Sequence, residues 1–241
     1  MADIAGHYHD LLAGVYTWLH GGAEPRIAEN RAFFVANGIV PRGGGNAVDL
    51  GCGSGFQSIP LAELGFAVTA IDLSDMLLAE LGARRAGLNI TTAQADLLDF
   101  AAYVPERLEL AVCMGDTLTH LPGFGEVERL LRDLHARLEK GGKLALVFRN
   151  LTQETPRGDR FIPVRSDENA VFSCFLEYEG DFAIVHDILY TRGAAGWELK
   201  RSFYKKLRIS PAWVMLVLEG AGYRTATLRE ERGIATIIAE K

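Results

Sequence analysis

Residues 48–56 have the sequence VDLGCGSGF, a short apolar run followed by three glycines at alternate positions. The run over 47–50 predicts a strand, and the glycines predict a tight turn in which a ligand can contact bare backbone. A dinucleotide pyrophosphate favours Gly or Ala at the sixth position of Gly-x-Gly-x-x-Gly, where this chain has Phe56. Asp49 fits poorly beside a pyrophosphate, so a cationic nucleoside without phosphates suits the loop better.

Strands and helices alternate after this loop. The apolar runs predict strands over 66–71, 90–95, 108–114 and 143–148, helices over 76–85 and 125–139, and a turn at 141–142. Short apolar strands that alternate with helices are typical of a parallel sheet covered on both faces. The sequence therefore predicts a doubly wound α/β core over residues 41–150.

Three further segments flank this core. Apolar residues spaced by three and four predict a helical cap over 1–40, broken at Gly21-Gly22. Residues 151–209 predict an antiparallel insertion, because they hold three β-rich runs joined by glycine-containing turns, over 171–178, 182–190 and 197–209. Residues 210–241 begin with Ser210-Pro211, a pattern that starts helices, and predict a helix to 220 or 222 with two closing strands near 224–228 and 234–239.

The composition of the chain argues against several classes of protein. The 241 residues are 49% hydrophobic, which suffices for a full core. The net charge of −6 argues against a nucleic-acid partner and favours a small molecule. No apolar run is long enough for a membrane helix and no basic, then apolar, leader pattern is present, so we expect a cytoplasmic protein with no membrane partner. Three scattered cysteines indicate neither a disulfide framework nor a metal site.

The glycine loop and the acidic residues after it resemble the class I S-adenosylmethionine-dependent methyltransferases, whose first motif is an acid followed by Gly-x-Gly-x-Gly. The resemblance covers about 47–150 with the last helix and strands, and implies a Rossmann-like seven-stranded sheet that binds S-adenosylmethionine. It implies a set of cofactor-binding residues at the ends of successive strands: Asp49, Gly51, Cys52, Gly53, Gly55, Asp72, Leu73, Asp96, Leu97, Met114, Gly115 and Asp116.

The family pattern also implies individual roles. Asp72 would accept both ribose hydroxyls, and Asp96 would meet the adenine amino group while the next backbone amide meets the ring. Residues 113–116 would line the methionine end of the cofactor and the mouth of the substrate site. Taken singly, each acid could equally be a solvated loop residue or a helix N-cap.

Aromatic residues before Gly21 resemble the mobile cap that many small-molecule methyltransferases close over the cofactor. Tyr8, Tyr16 and Trp18 are the cap residues that we expect at the site. The alternative is that they complete an amphipathic stripe.

Two residues outside the cofactor motifs are candidate catalytic residues. His120 follows the fourth predicted strand, where a histidine can accept a proton at neutral pH, or can simply cap or pack. Arg201 interrupts the odd-numbered apolar row of residues 197–209, while the even-numbered row is polar, so we expect it to point with the apolar face. There it would meet either an internal carboxylate or a substrate anion. His186 interrupts the neighbouring strand in the same way.

The predicted activity is methyl transfer to the oxygen or nitrogen of a small acceptor, possibly one that bears a carboxylate. Positioning the two reactants supplies most of the catalysis in such a reaction, so a strong base is optional. Nucleic-acid methylation is disfavoured because the fourth strand lacks an Asn/Asp-Pro-Pro-Tyr motif. The alternatives are a regulatory protein that binds S-adenosylmethionine without turnover and, disfavoured by Phe56, an NAD-linked oxidoreductase. The sequence does not indicate an oligomeric state.

Overall fold

The computed structural model describes residues 4–241 and contains two β-sheets with helices around them. The strands, numbered along the chain, are β1 Asn46–Leu50, β2 Ala67–Asp72, β3 Ile90–Gln94, β4 Leu108–Cys113, β5 Leu138–Arg149, β6 Phe161–Ser166, β7 Ala170–Glu179, β8 Phe182–Gly193, β9 Gly196–Leu207, β10 Thr225–Glu231 and β11 Ile234–Glu240. The α-helices are α1 Ile4–His7, α2 Tyr16–Leu19, α3 Ala23–Ala36, α4 Ser58–Glu63, α5 Asp75–Arg84, α6 Phe124–Arg137 and α7 Pro211–Ala221. Single turns of 3₁₀ helix cover 13–15, 97–102, 117–120 and 157–159, and residues 8–12 form a π-helical turn.

The larger sheet has seven strands in the order β10-β11-β5-β4-β1-β2-β3. Strands β1 to β5 run parallel to their neighbours, whereas β11 pairs antiparallel with β5 and β10 with β11. Side chains such as Phe34 and Leu81 cover one face, and side chains such as Leu130 and Val214 cover the other. The predicted Rossmann-like, doubly wound fold is therefore confirmed, together with the antiparallel insertion and the N-terminal helical segment.

Strand β4 lies at the centre of this sheet and is buried along its whole length. Helices on both faces explain why its sequence is a continuous apolar run rather than an alternating one. Its one charged residue, Glu109, accepts hydrogen bonds from the backbone amides of Arg42 (2.7 Å), Gly43 (2.7 Å) and Gly45 (2.9 Å). This carboxylate ties the segment that enters β1 to the neighbouring strand.

The smaller sheet is the antiparallel insertion, with the order β6-β7-β8-β9. Its edge strand β6 was not predicted, because Pro163 interrupts it and most of its residues are exposed. Proline is tolerated in edge strands, where one row of backbone groups has no partner in the sheet. The inner face packs on the N-terminal segment, where Leu11 and Leu12 meet Phe172 and Leu189.

Two boundaries differ from the sequence prediction. Helix α6 ends at Arg137 and β5 begins at once with Leu138, so the predicted turn at 141–142 lies inside a strand. Gly141 makes this possible, because its φ of 75° is a conformation that other residues rarely adopt. The N-terminal stripe forms short helical turns up to Leu19 rather than long helices, and its first three residues lie outside the described part of the chain. None of the helices in residues 4–241 has the length and apolar character needed to cross a membrane.

Replacing Glu109 by Gln should destabilise the fold by about 1–3 kcal/mol, because the amide cannot accept three backbone hydrogen bonds as the carboxylate does. Burial opposes ionisation, but the three amides and Arg42 hold the pKa of Glu109 below its usual 4.5. A depressed pKa stabilises the folded state above the unfolded-state value, so the contribution is lost as the pH falls below about 4.5. Urea denaturation of both proteins at pH 7 and pH 4 measures this, with exposed Glu106→Gln as the control. An equal midpoint for wild type and Glu109→Gln at pH 7 would contradict it.

Candidate active site

A cavity of about 280 Å³ lies at the carboxyl ends of β1 to β4, beneath the N-terminal segment. In open parallel sheets this edge is where ligands bind. The predicted residues that line the cavity are Tyr8, Tyr16, Gly51, Gly53, Asp72, Leu73, Asp96, Leu97, Gly115 and His120. The structure thus brings side chains from four strand ends and from the N-terminal segment to one place.

The glycine loop forms the floor of the cavity. Gly51 has a φ of 70°, and a Cβ atom there would lie 2.4 Å from the Thr117 side chain. Gly55 has a φ of 92°, and a Cβ atom there would lie 2.3 Å from Cδ1 of Leu81. Both the backbone conformation and the close packing therefore require glycine.

Asp72 ends β2 and lines the cavity. Its Oδ2 accepts a hydrogen bond from the Gly53 amide (2.7 Å), and its Oδ1 accepts one from the Ser74 amide (2.9 Å). Burial raises the pKa of the Asp72 carboxyl, although these amides oppose the rise. Each carboxylate oxygen retains a free lone pair, so Asp72 can still accept two hydroxyl hydrogen bonds from a ligand.

Asp96, which follows β3, also lines the cavity and at the same time caps a helical turn. Its Oδ1 accepts a hydrogen bond from the Leu98 amide (2.8 Å). The N-cap interpretation and the ligand interpretation are therefore compatible for this side chain, because a carboxylate can accept more than one hydrogen bond.

Asp49 lies below the glycine loop and does not line the cavity. It is buried, and its Oδ2 accepts a 2.5 Å hydrogen bond from the Ser58 hydroxyl at the start of α4. Burial raises the pKa of this carboxyl to about 7. This hydrogen bond joins β1 to the helix after the loop, so the Asp49 carboxyl binds a protein group and does not face the cavity.

Other predicted cofactor residues also lie behind the cavity wall, namely Cys52, Gly55, Met114 and Asp116. Cys52 and Met114 are buried in the apolar core under the loop. Gly53 and Gly55 belong to the same turn, yet only Gly53 lines the cavity. The spacing of the predicted residues in the sequence therefore does not distinguish those that line the cavity from those that lie behind it.

The N-terminal segment covers the cavity. The Tyr16 ring stacks on Phe56, with ring centroids 5.6 Å apart and planes 15° apart. Thr17 Oγ1 donates a 2.6 Å hydrogen bond to Oε2 of Glu80 on α5, and Glu80 also pairs with Arg84 at 3.0 Å. These polar contacts fasten α2 to the core at the rim of the cavity.

The structure does not place Trp18 at the cavity, where the sequence analysis expected it. Its Nε1 donates a 2.5 Å hydrogen bond to Oδ2 of Asp167 in the insertion, and the Arg165 guanidinium lies 5.5 Å from its ring centroid. In the short helix α2, Tyr16 and Trp18 are two residues apart and therefore point in different directions. Trp18 fastens the cap to the insertion, whereas Tyr16 faces the cavity.

His120 also lines the cavity, beside the N-terminal segment and β9. Its ring centroid is 6.1 Å from that of Tyr8 and 5.4 Å from that of Tyr204. The Nδ1 atom is buried and has no hydrogen-bond partner among residues 4–241, so no protein group fixes the tautomer. Burial, helped by the positive charge of Lys206, lowers the pKa of His120 to about 3. The ring is therefore neutral at physiological pH.

The prediction that Arg201 converges with His120 is also wrong. Strand register places Arg201 opposite Ile188, on the exposed outer face of the insertion with Phe203. There it lines a separate groove with Phe161 and Phe175. The odd-numbered residues of β9 are exposed from Trp197 to Lys205, although several are apolar, and Leu207 at the end of the strand is buried. The prediction of a carboxylate-bearing acceptor therefore loses the arginine on which it rested.

The inward row of β9 is the polar one, and it supplies residues that the sequence analysis missed. Tyr204 and Lys206 are buried there, and Tyr204 pairs with Val185 across β8. On the same inner face, Asp187 Oδ2 and Nε2 of the fully buried His7 are 2.9 Å apart. The sequence of β8 gave no signal for this face, because its even-numbered row is at least as apolar as the odd-numbered row that holds Asp187 and that the structure buries.

Comparisons with known proteins agree with this geometry. Residues 47–142, from β1 into β5, match the family described as "Methyltransferase domain". The chain is 28% identical over 127 residues to glycine/sarcosine N-methyltransferase of Aphanothece halophytica and 34% identical over 111 residues to ubiquinone biosynthesis O-methyltransferase of Xanthomonas euvesicatoria. These matches cover 52% and 45% of this chain and 48% and 45% of the relatives, so the chain spans about half the length of the curated relatives it matches.

The fold is shared over a longer stretch than the sequence. The solved structure of an S-adenosylmethionine-dependent methyltransferase from Clostridium acetobutylicum superposes with a TM-score of 0.72 and 16% identity. The superposition covers 98% of this chain and 96% of that one. The shared fold therefore includes the insertion and the N-terminal segment as well as the core.

Replacing Trp18 by Phe should loosen the N-terminal segment without unfolding the core, because it removes the hydrogen bond to Asp167 and keeps an aromatic ring. One such bond corresponds to roughly two- to tenfold faster amide hydrogen exchange. Exchange measured by mass spectrometry should rise across residues 4–20 and remain unchanged in β4. Trp197→Phe, on the exposed outer face of the insertion, is the control. Unchanged exchange in Trp18→Phe would show that the bond does not hold the segment.

Proposed function

We propose that this chain, whose residues 47–142 are a methyltransferase domain with the class I fold, transfers the methyl group of S-adenosylmethionine to oxygen or nitrogen of a small molecule. The observation that supports this most is one cavity that is lined both by the carboxylates at the ends of β2 and β3 and by a neutral histidine. A binding protein without turnover would need the carboxylates but not the histidine.

The fit of the cofactor to the residues present rests on the strand ends. The cavity floor is bare backbone at Gly51 and Gly53, and Asp72 and Asp96 each keep acceptor capacity. Asp72 would hold the ribose hydroxyls, and Asp96 with the Leu97 amide would hold the adenine. S-adenosylmethionine, when bound, supplies a methyl group on a sulfonium that nucleophiles attack in line.

The protein contributes by aligning the two reactants and by excluding water from the acceptor. Tyr8 and Tyr16 cover the cavity, and Leu121 with Pro122 gives it an apolar wall. Excluding water and aligning the reactants lowers the barrier by roughly 7–11 kcal/mol in well-oriented reactions. His120 is the group that takes the proton from the acceptor O–H or N–H, because its ring is neutral and lines the cavity.

The relatives named above act, by their names, on glycine, sarcosine and a ubiquinone precursor, which supports a small acceptor. One is an N-methyltransferase and the other an O-methyltransferase, so both nitrogen and oxygen remain candidates for the methylated atom. Incubating the protein with methyl-labelled S-adenosylmethionine and a metabolite extract, followed by mass spectrometry, tests the proposal. A labelled small product is the expected result. Tight S-adenosylhomocysteine binding with no labelled product would instead indicate a regulatory protein, and bound nicotinamide would indicate an oxidoreductase.

Asp72→Ala should weaken S-adenosylmethionine binding by about ten- to a hundredfold, because hydrogen bonds to a charged acceptor contribute roughly 1.5–3 kcal/mol. Titration calorimetry measures the affinity. Asp133→Ala, an exposed residue of α6, is the control and should bind as the wild type does. An affinity within twofold of the wild type would exclude Asp72 as a ribose ligand.

His120→Ala should lower kcat by about 10²–10⁴ when proton removal limits the rate, while the affinity for S-adenosylmethionine stays unchanged. Because His120 is neutral from about pH 3 upward, the wild-type rate should show no acid limb from this group between pH 5 and 8. Steady-state kinetics across that range, together with calorimetry at pH 7, separates the two effects. A variant that keeps the wild-type kcat would rule out His120 as the base.

A further inference from the structure

The outer face of the insertion carries large apolar side chains that stay exposed in the structure of residues 4–241. We propose that this face is the interface between two copies of the chain, related by a twofold axis that runs along β8. The inference goes beyond the proposed function and does not depend on the methyl acceptor, because none of the residues concerned lines the cavity.

A row of aromatic rings crosses all four strands of the outer face. Phe161 on β6 pairs with Phe175 on β7, and their ring centroids are 4.6 Å apart. The His186 ring on β8 lies 5.9 Å from Phe175 on one side and 5.5 Å from Phe203 of β9 on the other. Together with Arg201 the row lines a groove of about 590 Å³. The solvent-facing side of an antiparallel sheet is usually polar, so an apolar row here indicates a face that a further surface covers.

The apolar area of this face is large enough for a protein interface. Six large apolar side chains on it are between 37% and 70% exposed, namely Phe161, Val171, Tyr190, Trp197, Leu199 and Phe203. Aromatic side chains have roughly 150–250 Å² each and aliphatic ones somewhat less, so the six present on the order of 600 Å² to solvent. The largest apolar patch of a typical monomer covers about 300–600 Å², and a stable interface buries about 800 Å² on each partner with its polar rim included. The outer face with its charged rim reaches that size.

The charges beside the aromatic row make the face complementary to itself. Glu177 and Glu179 lie on β7, whereas Arg201 and Lys205 lie on β9, with β8 between the two strands. A twofold axis along β8 therefore lays the acidic β7 of one copy over the basic β9 of the other, while the aromatic row meets its own equivalent. Glu177 and Lys205 both pair with Ile184 of β8, so they lie at the same height along the axis. In the dimer, Glu177 of each copy faces Lys205 of the other.

These charges are free to take a second partner. Within one chain, Glu177 Oε2 lies 2.6 Å from Nε2 of His186, and Lys205 Nζ lies 3.5 Å from Oε2 of Glu179. The side chains of Glu177 and Lys205 nevertheless remain 51% and 39% exposed. A twofold interface uses the same patch on both copies, so a second copy supplies the matching charges without any other protein.

Sedimentation equilibrium of the full chain across the micromolar range measures the mass and the dissociation constant. The wild type should have twice the 26.3 kDa mass of the chain. Phe203→Glu should weaken dimerisation by at least about a hundredfold, because it places an unpaired charge in the apolar interface twice. Leu216→Glu is the matched control, since Leu216 is 66% exposed on α7, outside the insertion, and this variant should dimerise as the wild type does.

Charge reversal tests the direction of the twofold axis. Lys205→Glu and Glu177→Lys should each weaken dimerisation by roughly ten- to a hundredfold, because both facing pairs become repulsive. An equimolar mixture of the two variants should recover the dimerisation of the wild type, because each facing pair in the mixed dimer again combines opposite charges. Pairing within a single chain cannot give this recovery on mixing.

The proposal has outcomes that contradict it. A wild type with the mass of one chain throughout the range overturns it and leaves the face to a partner of another kind. A dimer that Phe203→Glu leaves intact uses a different surface and also overturns it. Charge variants that dissociate but do not recover on mixing exclude the twofold axis along β8. If Phe203→Glu has an altered circular dichroism spectrum, the charge variants, whose residues are exposed, decide the question.

Discussion

The carboxylate of Asp72 joins the segments on which the site depends. It ends β2, accepts the Gly53 amide from the loop after β1, and accepts the Ser74 amide where α5 begins. Parallel neighbouring strands end at the same edge of a sheet, so one side chain can hold both connections. The Gly51 and Cys52 amides also donate to the Ile71 carbonyl of β2, so the particular contribution of Asp72 is to hold Gly53 at the cavity floor.

The second constraint comes from the insertion, whose strand β9 packs against the N-terminal segment and against the 3₁₀ turn that carries His120. Its inner face carries Asp187, Tyr204 and Lys206, and these meet His7 and His120 from other parts of the chain. Buried charges are costly unless they are paired, and here each charged group has a partner of opposite or complementary character. The insertion thus supports residues of the cavity wall from behind, and its Lys206–Asp116 ion pair joins it to the core.

The N-terminal segment connects these two parts. Thr17 fastens it to α5 of the core, Trp18 to the insertion, and Tyr16 stacks over the glycine loop. Leu11 and Leu12 add apolar contacts with the insertion. The segment is therefore bound to both parts of the molecule while its Tyr8 and Tyr16 line the cavity.

The sequence alone determined the doubly wound α/β core, the order of its elements and the strand ends at which Asp72, Asp96 and His120 stand, whereas the expectation of seven strands came from the family resemblance. These follow from local rules, because apolar periodicity, capping residues and glycine turns act over a few neighbours. The tertiary structure alone decided which face of β9 points inward, and it buries Lys206 while Arg201 lies on the exposed face. Alternation along one strand fixes two faces, but only packing against His7, His120 and Asp116 selects the buried one.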